Sequence, residues 1–508
     1  MQAEAELAPD QTLSPPGSAW SAAAIGAAFA VLTALCALPF LGKYGWDRDE
    51  LYFLAAAHHL AFGYVDIPPL TALLGRAVID VFGTSLDALR VSTMVIACLS
   101  TVLVALSVRE LGGRWPAQAG AAAAWALCPE LLGSASIFHP TWPDLTCQVA
   151  VGYLALRLLV RPAPWVWPAL GVVAGIGLEA KYTIGLELAA LLVAFLVVRP
   201  ARGALRGPGL PIAIGLATLI FLPNLIWEAQ HGWVSAHFAS SQRAQTASDT
   251  PPPVYVGELL AFLGAAAPLA IVGGVHLWRR GALRALALAA AIVVLCFGLE
   301  QGRAYYPVPA LAGCVAAGAV AIERWHPSRP RTRWLAVGGL VAVQVLVVVA
   351  ASPLVVPVRS TAGMIQSGDW KNSFFKDEIG WPQMTAQVAR DWRALPAGVR
   401  AHAAVLAENY GEAGALAHYG PAAGLPQPLS GHLSWQYWRP ASLPQRDALT
   451  VGFAWSDLGR LCAARRILSR IEMPYRLGNE EQGRLIAFCR LRAPLGSMWA
   501  SQIANSNL

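Results

Sequence analysis

The chain has 508 residues, of which 56% are hydrophobic and 13% are charged, and its mean hydropathy is +0.49. Soluble globular proteins carry about 25% charged residues, and a water-soluble chain of this length divides into domains with polar surfaces. The composition therefore excludes an ordinary cytosolic enzyme, a disordered protein and a secreted disulfide scaffold, and it predicts a polytopic α-helical membrane protein.

About eleven segments are apolar enough to cross a membrane, which takes about 20 residues in a helix. They lie near residues 20–41, 88–107, 117–135, 145–160, 165–180, 182–198, 210–227, 254–277, 283–299, 304–322 and 334–351. Residues 1–19 are polar and lack the basic start of a signal peptide. We therefore expect a cytoplasmic N-terminal tail followed by a retained membrane anchor.

The net charge of +7 reflects arginines in alternate loops between these segments. Those loops hold fourteen arginines and only two acids, Glu110 and Glu323. Because positively charged short loops stay in the cytoplasm, the N-terminus is predicted inside and the C-terminus outside. The positive net charge is then explained by the orientation of the chain in the membrane, and nucleic acid is not an expected partner.

Residues 352–508 have an ordinary globular composition and no further apolar run of 20 residues. They predict a soluble α/β domain on the outer, periplasmic side, following a transmembrane domain over residues 20–351. Six of the eight cysteines fall in predicted spans, and only Cys462 and Cys489 lie in the outer domain. Oxidation is permitted there, so a disulfide between them and two free thiols are both open.

The first outer loop, residues 42–87, is the most polar part of the membrane half. Apolar residues alternate there with acids and histidines, which is typical of a helix at the membrane surface, and Pro68 ends this pattern. Two interpretations are open for its acids, Asp47, Asp49, Glu50 and Asp66. They belong to a solvated loop that helps to set the topology, or one of them acts as a general base near a polar headgroup.

Several motifs in this loop and beyond it carry a family resemblance. The loop contains WDRDELY at 46–52 and GYVDIPPL at 63–70. Further motifs follow in order: Asp144, GLEAKY at 177–182, PNLIW at 223–227, HGW at 231–233, RAYY at 303–306, ENYGEA at 408–413 and SGH at 430–432. Over nearly its whole length the sequence resembles bacterial glycosyltransferase family 39. This group of GT-C membrane enzymes is related to the protein O-mannosyltransferases and the lipid A aminoarabinose transferase.

The resemblance implies a GT-C fold with outer juxtamembrane helices and an activity at the outer face of the bacterial inner membrane. Family members take a sugar from a polyprenyl-phosphate and place it on a lipid, glycan or protein acceptor. The family's essential acid maps to Asp49, beside Glu50, and would deprotonate the acceptor hydroxyl as it attacks the anomeric carbon. Inversion of configuration is the expected outcome.

Further site residues follow from the resemblance and from the scarcity of bases on the outer side. The donor phosphate is predicted to contact Arg48, Lys181, Arg303, Tyr305 and Tyr306, although each base could instead only snorkel or set topology. The sugar or acceptor is predicted to contact Asp66, Asp144, Tyr52 and His58, although Asp144 could merely cap a helix.

Two departures from the lipid A enzymes bear on substrate and cofactor. A lysine and an arginine of those relatives correspond here to Ile67 and Tyr52, which argues against aminoarabinose transfer. Asp66 stands where some relatives bind a metal, but no tight spacing of ligands supports it, so a divalent ion is open. Polar and aromatic residues of the outer domain, among them Tyr410, form an acceptor surface or simply pack.

Two rival functions are a transporter or flippase for a polyprenyl-linked glycan and a non-catalytic binding subunit. A transport path would place charged residues near the middle of the bilayer. The charged residues here cluster in outer loops, which favours an enzyme at the membrane surface.

Overall fold

The computed structural model describes residues 18–246, 251–325, 330–368, 374–476 and 478–505. Most of the predicted N-terminal tail, residues 1–17, lies outside these ranges. The α-helices, in chain order, are α1 (Ala19–Ala37), α2 (Arg48–His58), α3 (Leu70–Phe82), α4 (Leu86–Glu110), α5 (Trp115–Ala126), α6 (Pro129–Ala135), α7 (Thr141–Val160), α8 (Val166–Ala180), α9 (Ile184–Val197), α10 (Gly209–Gln230), α11 (Val234–Thr246), α12 (Pro252–Leu263), α13 (Ala266–Trp278), α14 (Arg284–Leu299), α15 (Ala312–Trp325), α16 (Pro330–Val355), α17 (Thr361–Ser367), α18 (Trp381–Ala394), α19 (Ala397–Arg400), α20 (Tyr410–Tyr419), α21 (Trp455–Leu461) and α22 (Leu495–Met498).

Among the described residues, five helices are long and apolar enough to cross a membrane. They are Ala19–Phe40, Leu86–Glu110, Thr141–Val160, Gly209–Gln230 and Gly281–Leu299, each at a predicted span. Two bent pairs of helices raise the number to seven if each pair counts as one span. The expected eleven spans are not reached in this part of the chain, because several predicted segments form short or broken helices.

Local backbone chemistry explains these breaks. The predicted span 254–277 is two helices, α12 and α13, that meet at an angle of 102°. Gly264 stands at the break with a φ of +55°, a conformation that favours glycine. The predicted span 117–135 is likewise two helices, because Pro129 starts α6 after α5 has ended at Ala126.

The chain divides into two compact units, and the first contains most of the apolar helices. It comprises the residues up to Leu41 together with Arg90–Ile226 and Arg243–Val356. Its central helix α5 is rich in alanine and almost wholly buried, and it packs against α1, α15 and α16. Small side chains let helix backbones approach closely where no water competes. The buried Trp125 of this helix donates from its indole Nε1 to the Ser100 hydroxyl at 2.9 Å.

The second unit is built from three separate segments, Gly42–Leu89, Trp227–Gln242 and Pro357–Leu508. The first outer loop, which we expected to belong to the transmembrane domain, therefore groups with the C-terminal region. Its helix α2 packs closely against α20 of that region. Residues separated by more than 350 positions in sequence are thus neighbours in one compact unit.

A mixed five-stranded sheet forms the core of the second unit, with strand order β2-β1-β3-β5-β4. Its strands are β1 (Ala403–Ala407), β2 (Leu429–Ser430), β3 (Asp447–Val451), β4 (Cys462–Arg470) and β5 (Leu485–Leu491). The first three are parallel, and β5 is antiparallel to both β3 and β4. Helix α20 follows β1, so its first turn lies just beyond the carboxyl end of the parallel strands. A disulfide bond joins Cys462 to Cys489.

Candidate active site

Helix α2 begins with a capping box that fixes the direction of its first acidic side chains. The Asp47 carboxylate accepts from the Asp49 backbone N–H at 2.8 Å, and the Glu50 carboxylate accepts from the Asp47 N–H at 2.9 Å. These contacts satisfy backbone donors that the helix itself cannot pair. Glu50 is fully buried. The structure therefore places this predicted catalytic residue in the helix cap.

Asp49 is paired with a tyrosine from the C-terminal region. The Tyr410 hydroxyl donates to Asp49 Oδ1 at 2.7 Å. Burial, followed by the charge of Asp49, raises the pKa of Tyr410 well above its usual value, so the phenol keeps its proton. Asp49 itself is partly buried. The predicted essential acid is thus held at one oxygen atom by a donor that does not ionise in the working pH range.

Asp66, in the loop after α2, has a second tyrosine partner. The Tyr52 hydroxyl lies 2.5 Å from Asp66 Oδ1 and 2.8 Å from the Ser434 hydroxyl. Ser434 also accepts from the Val65 N–H at 2.9 Å, which ties the loop to the C-terminal region. Burial raises the pKa of Asp66 to about 7. This carboxyl group can therefore both take up and release a proton near neutral pH.

Aromatic side chains surround these two acid–tyrosine pairs. The ring of Tyr52 lies 5.4 Å from that of Tyr410, measured between centroids. Trp438 stacks on His59 at 4.8 Å with an angle of 12° between the planes, and its ring lies 5.8 Å from Tyr52. The low-dielectric wall that they form explains why burial dominates the pKa of Asp66.

Two other predicted site residues in the second unit face other partners. Arg48 donates to Glu480 at 2.6 Å and lies 3.9 Å from Glu481, so its charge is already paired. Its guanidinium carbon stands 4.6 Å from the centre of the Tyr410 ring. His58 is exposed at the end of α2, where Arg76 and Asp80 are among its charged neighbours. The structure does not place Arg48 as an unpaired phosphate ligand.

The first unit contains a second group of predicted residues, around Asp144 of α7. The Asp144 carboxylate is buried and accepts at Oδ2 from Gln148 at 2.8 Å and from Thr183 at 2.9 Å. Its other oxygen, Oδ1, has no hydrogen-bond partner among the described residues. Both of these described partners are side chains, so Asp144 is anchored inside the unit through one oxygen atom by contacts other than a helix cap.

Lys181 joins this group and brings the two predicted tyrosines to it. Its ammonium nitrogen lies 3.3 Å from the Thr141 hydroxyl, 4.3 Å from the centre of the Tyr306 ring and 5.6 Å from that of Tyr305. Arg303 is exposed. The structure thus brings Lys181, Tyr305 and Tyr306 together and pairs the cation with aromatic faces, and their contact with the donor phosphate stays a prediction.

The described residues supply no set of ligands for the possible metal site at Asp66. Among the described residues, no group of three or more His, Cys, Asp and Glu side chains could hold a metal ion. Asp66 is instead held by Tyr52, and a divalent ion stays a prediction.

Sequence reasoning did not identify three residues that build the site. It considered Tyr410 only for an acceptor surface or for packing, and it gave Ser434 and Trp438 no role. A signal for Tyr410 did exist, because Asn409 and Glu412 have the spacing of a capping box and so predict a helix start at 410. No local pattern points to Ser434 or Trp438, because their partners lie more than 360 residues away in sequence.

Similarity to known proteins agrees with the resemblance that the motifs carry. A family model described as dolichyl-phosphate-mannose-protein mannosyltransferase matches residues 66–227. The chain is 28% identical over 271 residues to the lipopolysaccharide core galacturonosyltransferase RgtA of Rhizobium johnstonii, a match that covers 51% of this chain and 52% of RgtA. It is 25% identical over 185 residues to the lipid A galacturonosyltransferase RgtD of the same organism, covering 36% of this chain and 38% of RgtD. The chain thus matches about half, or less, of the length of these relatives.

The fold is shared with a solved membrane protein over nearly the whole chain. The crystal structure of ArnT from Cupriavidus metallidurans bound to undecaprenyl phosphate superposes with a TM-score of 0.56 at 14% identity. The match covers 94% of this chain and 99% of ArnT. Together these similarities agree with a resemblance to membrane glycosyltransferases, and the chain shares the fold of ArnT.

Proposed function

We propose that this chain is a membrane glycosyltransferase that moves a sugar from a polyprenyl-phosphate donor to an envelope acceptor, which is a lipid, a glycan or a protein. The similarity to RgtA and RgtD and the fold shared with ArnT support this class of reaction. The observation that carries the proposal is the position of Asp49, a partly buried carboxylate held by Tyr410 at the start of the first outer-loop helix.

In the proposed reaction, Asp49 acts as the general base. The acceptor hydroxyl gives its proton to the Asp49 carboxylate while its oxygen forms a bond to the anomeric carbon of the donor sugar. The bond between that carbon and the phosphate oxygen breaks, and its electron pair leaves with the polyprenyl phosphate. Proton transfer to a positioned base contributes about 10²- to 10⁴-fold to such reactions.

The donor phosphate is assigned to the group around Lys181. An ammonium ion beside the Thr141 hydroxyl and two tyrosines offers a positive charge with neutral donors, which suits a lipid phosphate. Asp144 is the proposed contact for a hydroxyl group of the sugar. Arg48 is left out of this role because Glu480 and Glu481 already pair with it.

The proposed location is the bacterial inner membrane, with the C-terminal domain in the periplasm. The arginine-rich loops support this orientation. Alkaline phosphatase fused to the C-terminus should be active in a bacterial host, because the enzyme needs the periplasm to form its own disulfides. A fusion that stays inactive while the protein reaches the membrane would contradict the proposed orientation.

The decisive experiment is sugar transfer by the purified full chain in nanodiscs. Labelled polyprenyl-phosphate sugars are supplied as a panel with envelope extract as acceptor, and wild type is compared with Asp49→Asn. We expect transfer by the wild type and a loss of about 10²-fold or more in the variant. The matched control is Asp80→Asn, since Asp80 is an exposed acid in the same loop that pairs only with Arg76 in its described contacts.

Other outcomes would change the assignment. Equal transfer by wild type and Asp49→Asn would remove the base role from Asp49. Binding of the lipid donor without any transfer, followed by its movement across a vesicle bilayer, would replace the enzyme with a transporter or flippase.

A further inference from the structure

Helix α2 of the first outer loop lies against helix α20 of the C-terminal region at a point where α20 has two glycines, Gly411 and Gly414. A Cβ atom added to Gly411 would lie 2.5 Å from Arg48 Cγ, and one added to Gly414 would lie 2.9 Å from Leu51 Cβ. The contacting residues are three positions apart on each helix and therefore lie on one face of each. This close approach fixes Tyr410, which precedes Gly411, opposite Asp49.

The contact between Tyr410 and Asp49 has a defined direction. Tyr410 keeps its proton, and its hydroxyl donates a hydrogen bond to Asp49 Oδ1 at 2.7 Å. Hydrogen bonds to a charged acceptor are about twice as strong as those between neutral groups. The bond therefore restricts rotation of the Asp49 carboxylate about its side-chain bonds.

Arg48 supports the same contact from the other side of the tyrosine ring. Its guanidinium carbon lies 4.6 Å from the ring centre, where a cation is attracted to the aromatic face. Glu480 and Glu481 hold the guanidinium in that position. A cation over the ring withdraws electron density from the phenol and strengthens it as a donor. Arg48 thus acts on Asp49 through Tyr410.

Asp49 lies among other carboxyl groups. Three carboxyl groups interact electrostatically with Asp49: Asp47 in the helix cap, Asp66 in the following loop and Asp377 before α18. Like charges repel the Asp49 carboxylate, and the hydrogen bond from Tyr410, with the Arg48 cation behind its ring, holds the carboxylate in place against this repulsion.

We propose that Tyr410 is a positioning residue that orients Asp49, and that Arg48 strengthens this action from behind the ring. The inference rests on the proposed function of Asp49 as the base. It makes the C-terminal region part of the catalytic apparatus. In this arrangement Tyr410 touches the base and need not touch either substrate.

The test uses the full chain with Tyr410→Phe, which removes one hydroxyl group and keeps the ring. We expect kcat to fall about tenfold, the size of one hydrogen bond to a charged group, and the KM for the donor to stay within about twofold. Tyr419→Phe, at the other end of α20, is the matched control.

A double-mutant cycle separates positioning from a general structural effect. If Tyr410 acts only through Asp49, Tyr410→Phe should cost nothing further in the Asp49→Asn background. Arg48→Lys, which keeps the charge but loses the planar group, should lower kcat less than Tyr410→Phe does.

The outcomes distinguish this inference from the proposed function. If Asp49→Asn lowers transfer about 10²-fold while Tyr410→Phe matches the Tyr419→Phe control in kcat and KM, the inference is overturned and the base assignment stands. If Asp49→Asn itself leaves transfer unchanged, the proposed base role fails. Additive losses in the cycle would also overturn the inference, because they would indicate an independent role for Tyr410.

Discussion

The hydroxyl of Tyr52 lies 2.5 Å from Asp66 Oδ1, and these two residues are 14 positions apart in sequence. The same arrangement of a tyrosine hydroxyl on an aspartate joins Tyr410 to Asp49, which are 361 positions apart. The two acids differ in their surroundings. Asp49 stands in the first turn of a helix, whereas Asp66 lies in a loop and contacts Tyr52, whose hydroxyl also contacts Ser434. Burial raises the pKa of Asp66 to about 7, so this acid changes charge within the physiological range.

The raised pKa of Asp66 predicts a pH-dependent cost to folding. An unfolded aspartic acid titrates near pH 4, about three units lower than Asp66 does in the folded chain. Between these values the folded state holds a proton that the unfolded state has lost, so stability from this group is full at low pH and falls as pH rises through 7. We expect Asp66→Asn to gain stability over the wild type between pH 5 and pH 8. Thermal unfolding in detergent across this range measures it, and a difference that does not vary with pH would contradict it.

Lys181 should contribute to donor binding through its charge. Lys181→Met is expected to lower affinity for undecaprenyl phosphate about tenfold, because a hydrogen bond to a charged group is worth about 1.5 to 3 kcal/mol. Lys181→Arg should lose less, since it keeps the cation beside Tyr306. Native mass spectrometry of lipid binding gives the measurement. Lys43→Met is the control, because the Lys43 ammonium bonds the Val358 carbonyl within the second unit. Equal affinity in Lys181→Met and the control would remove Lys181 from the phosphate site.

The packing of α13 on α15 depends on two glycines. A Cβ atom on Gly273 would overlap the Cys314 carbonyl oxygen, and one on Gly318 would overlap that of Leu269. We expect Gly273→Ala to destabilise the protein by about 1 to 3 kcal/mol, the usual range for overpacking. Gly274→Ala is the control one residue away, since a Cβ there meets nothing within 4 Å. Thermal unfolding should separate the two variants, and similar melting temperatures would argue against this close approach.

The disulfide between Cys462 and Cys489 should stabilise the second unit. The two residues are 27 positions apart, and closing a loop of this size is worth about 3 to 4 kcal/mol in the unfolded-state model. Cys462→Ser with Cys489→Ser should therefore make the C-terminal region more sensitive to limited proteolysis. Cys36→Ser, which removes an exposed free thiol, serves as the control. Thiol labelling of unreduced wild type at both cysteines would show instead that the bond does not form.

The membrane character and the position of the long apolar helices could be predicted from the sequence. The number of spans stays a prediction, because hydropathy reports the solvent that a segment prefers and gives no information about where a helix bends. Gly264 is one small residue in an apolar run, yet the chain bends there by 102°. Prolines such as Pro129 divide another run without making it more polar.

The roles of Asp49, Asp66, Asp144 and Lys181 follow from the family resemblance and stay predictions, and the structure gives each side chain a specific contact. Arg48 was predicted to contact the phosphate because bases are scarce on the outer side of the chain. The glutamates that pair with it lie in the last thirty residues of the chain, and only the fold brings them near.

The interlaced construction of the second unit has a consequence for biosynthesis. Arg48 and Glu480 are 432 residues apart, and ribosomes add about 5 to 20 residues each second. Helix α2 therefore emerges about 20 to 90 seconds before its ion-pair partner exists. During that interval its charged first turn and the apolar face that will later meet α20 stand without their native cover. Chaperones and proteases at the membrane surface would therefore encounter the nascent chain with α2 still unpaired, and a stalled ribosome would prolong that state.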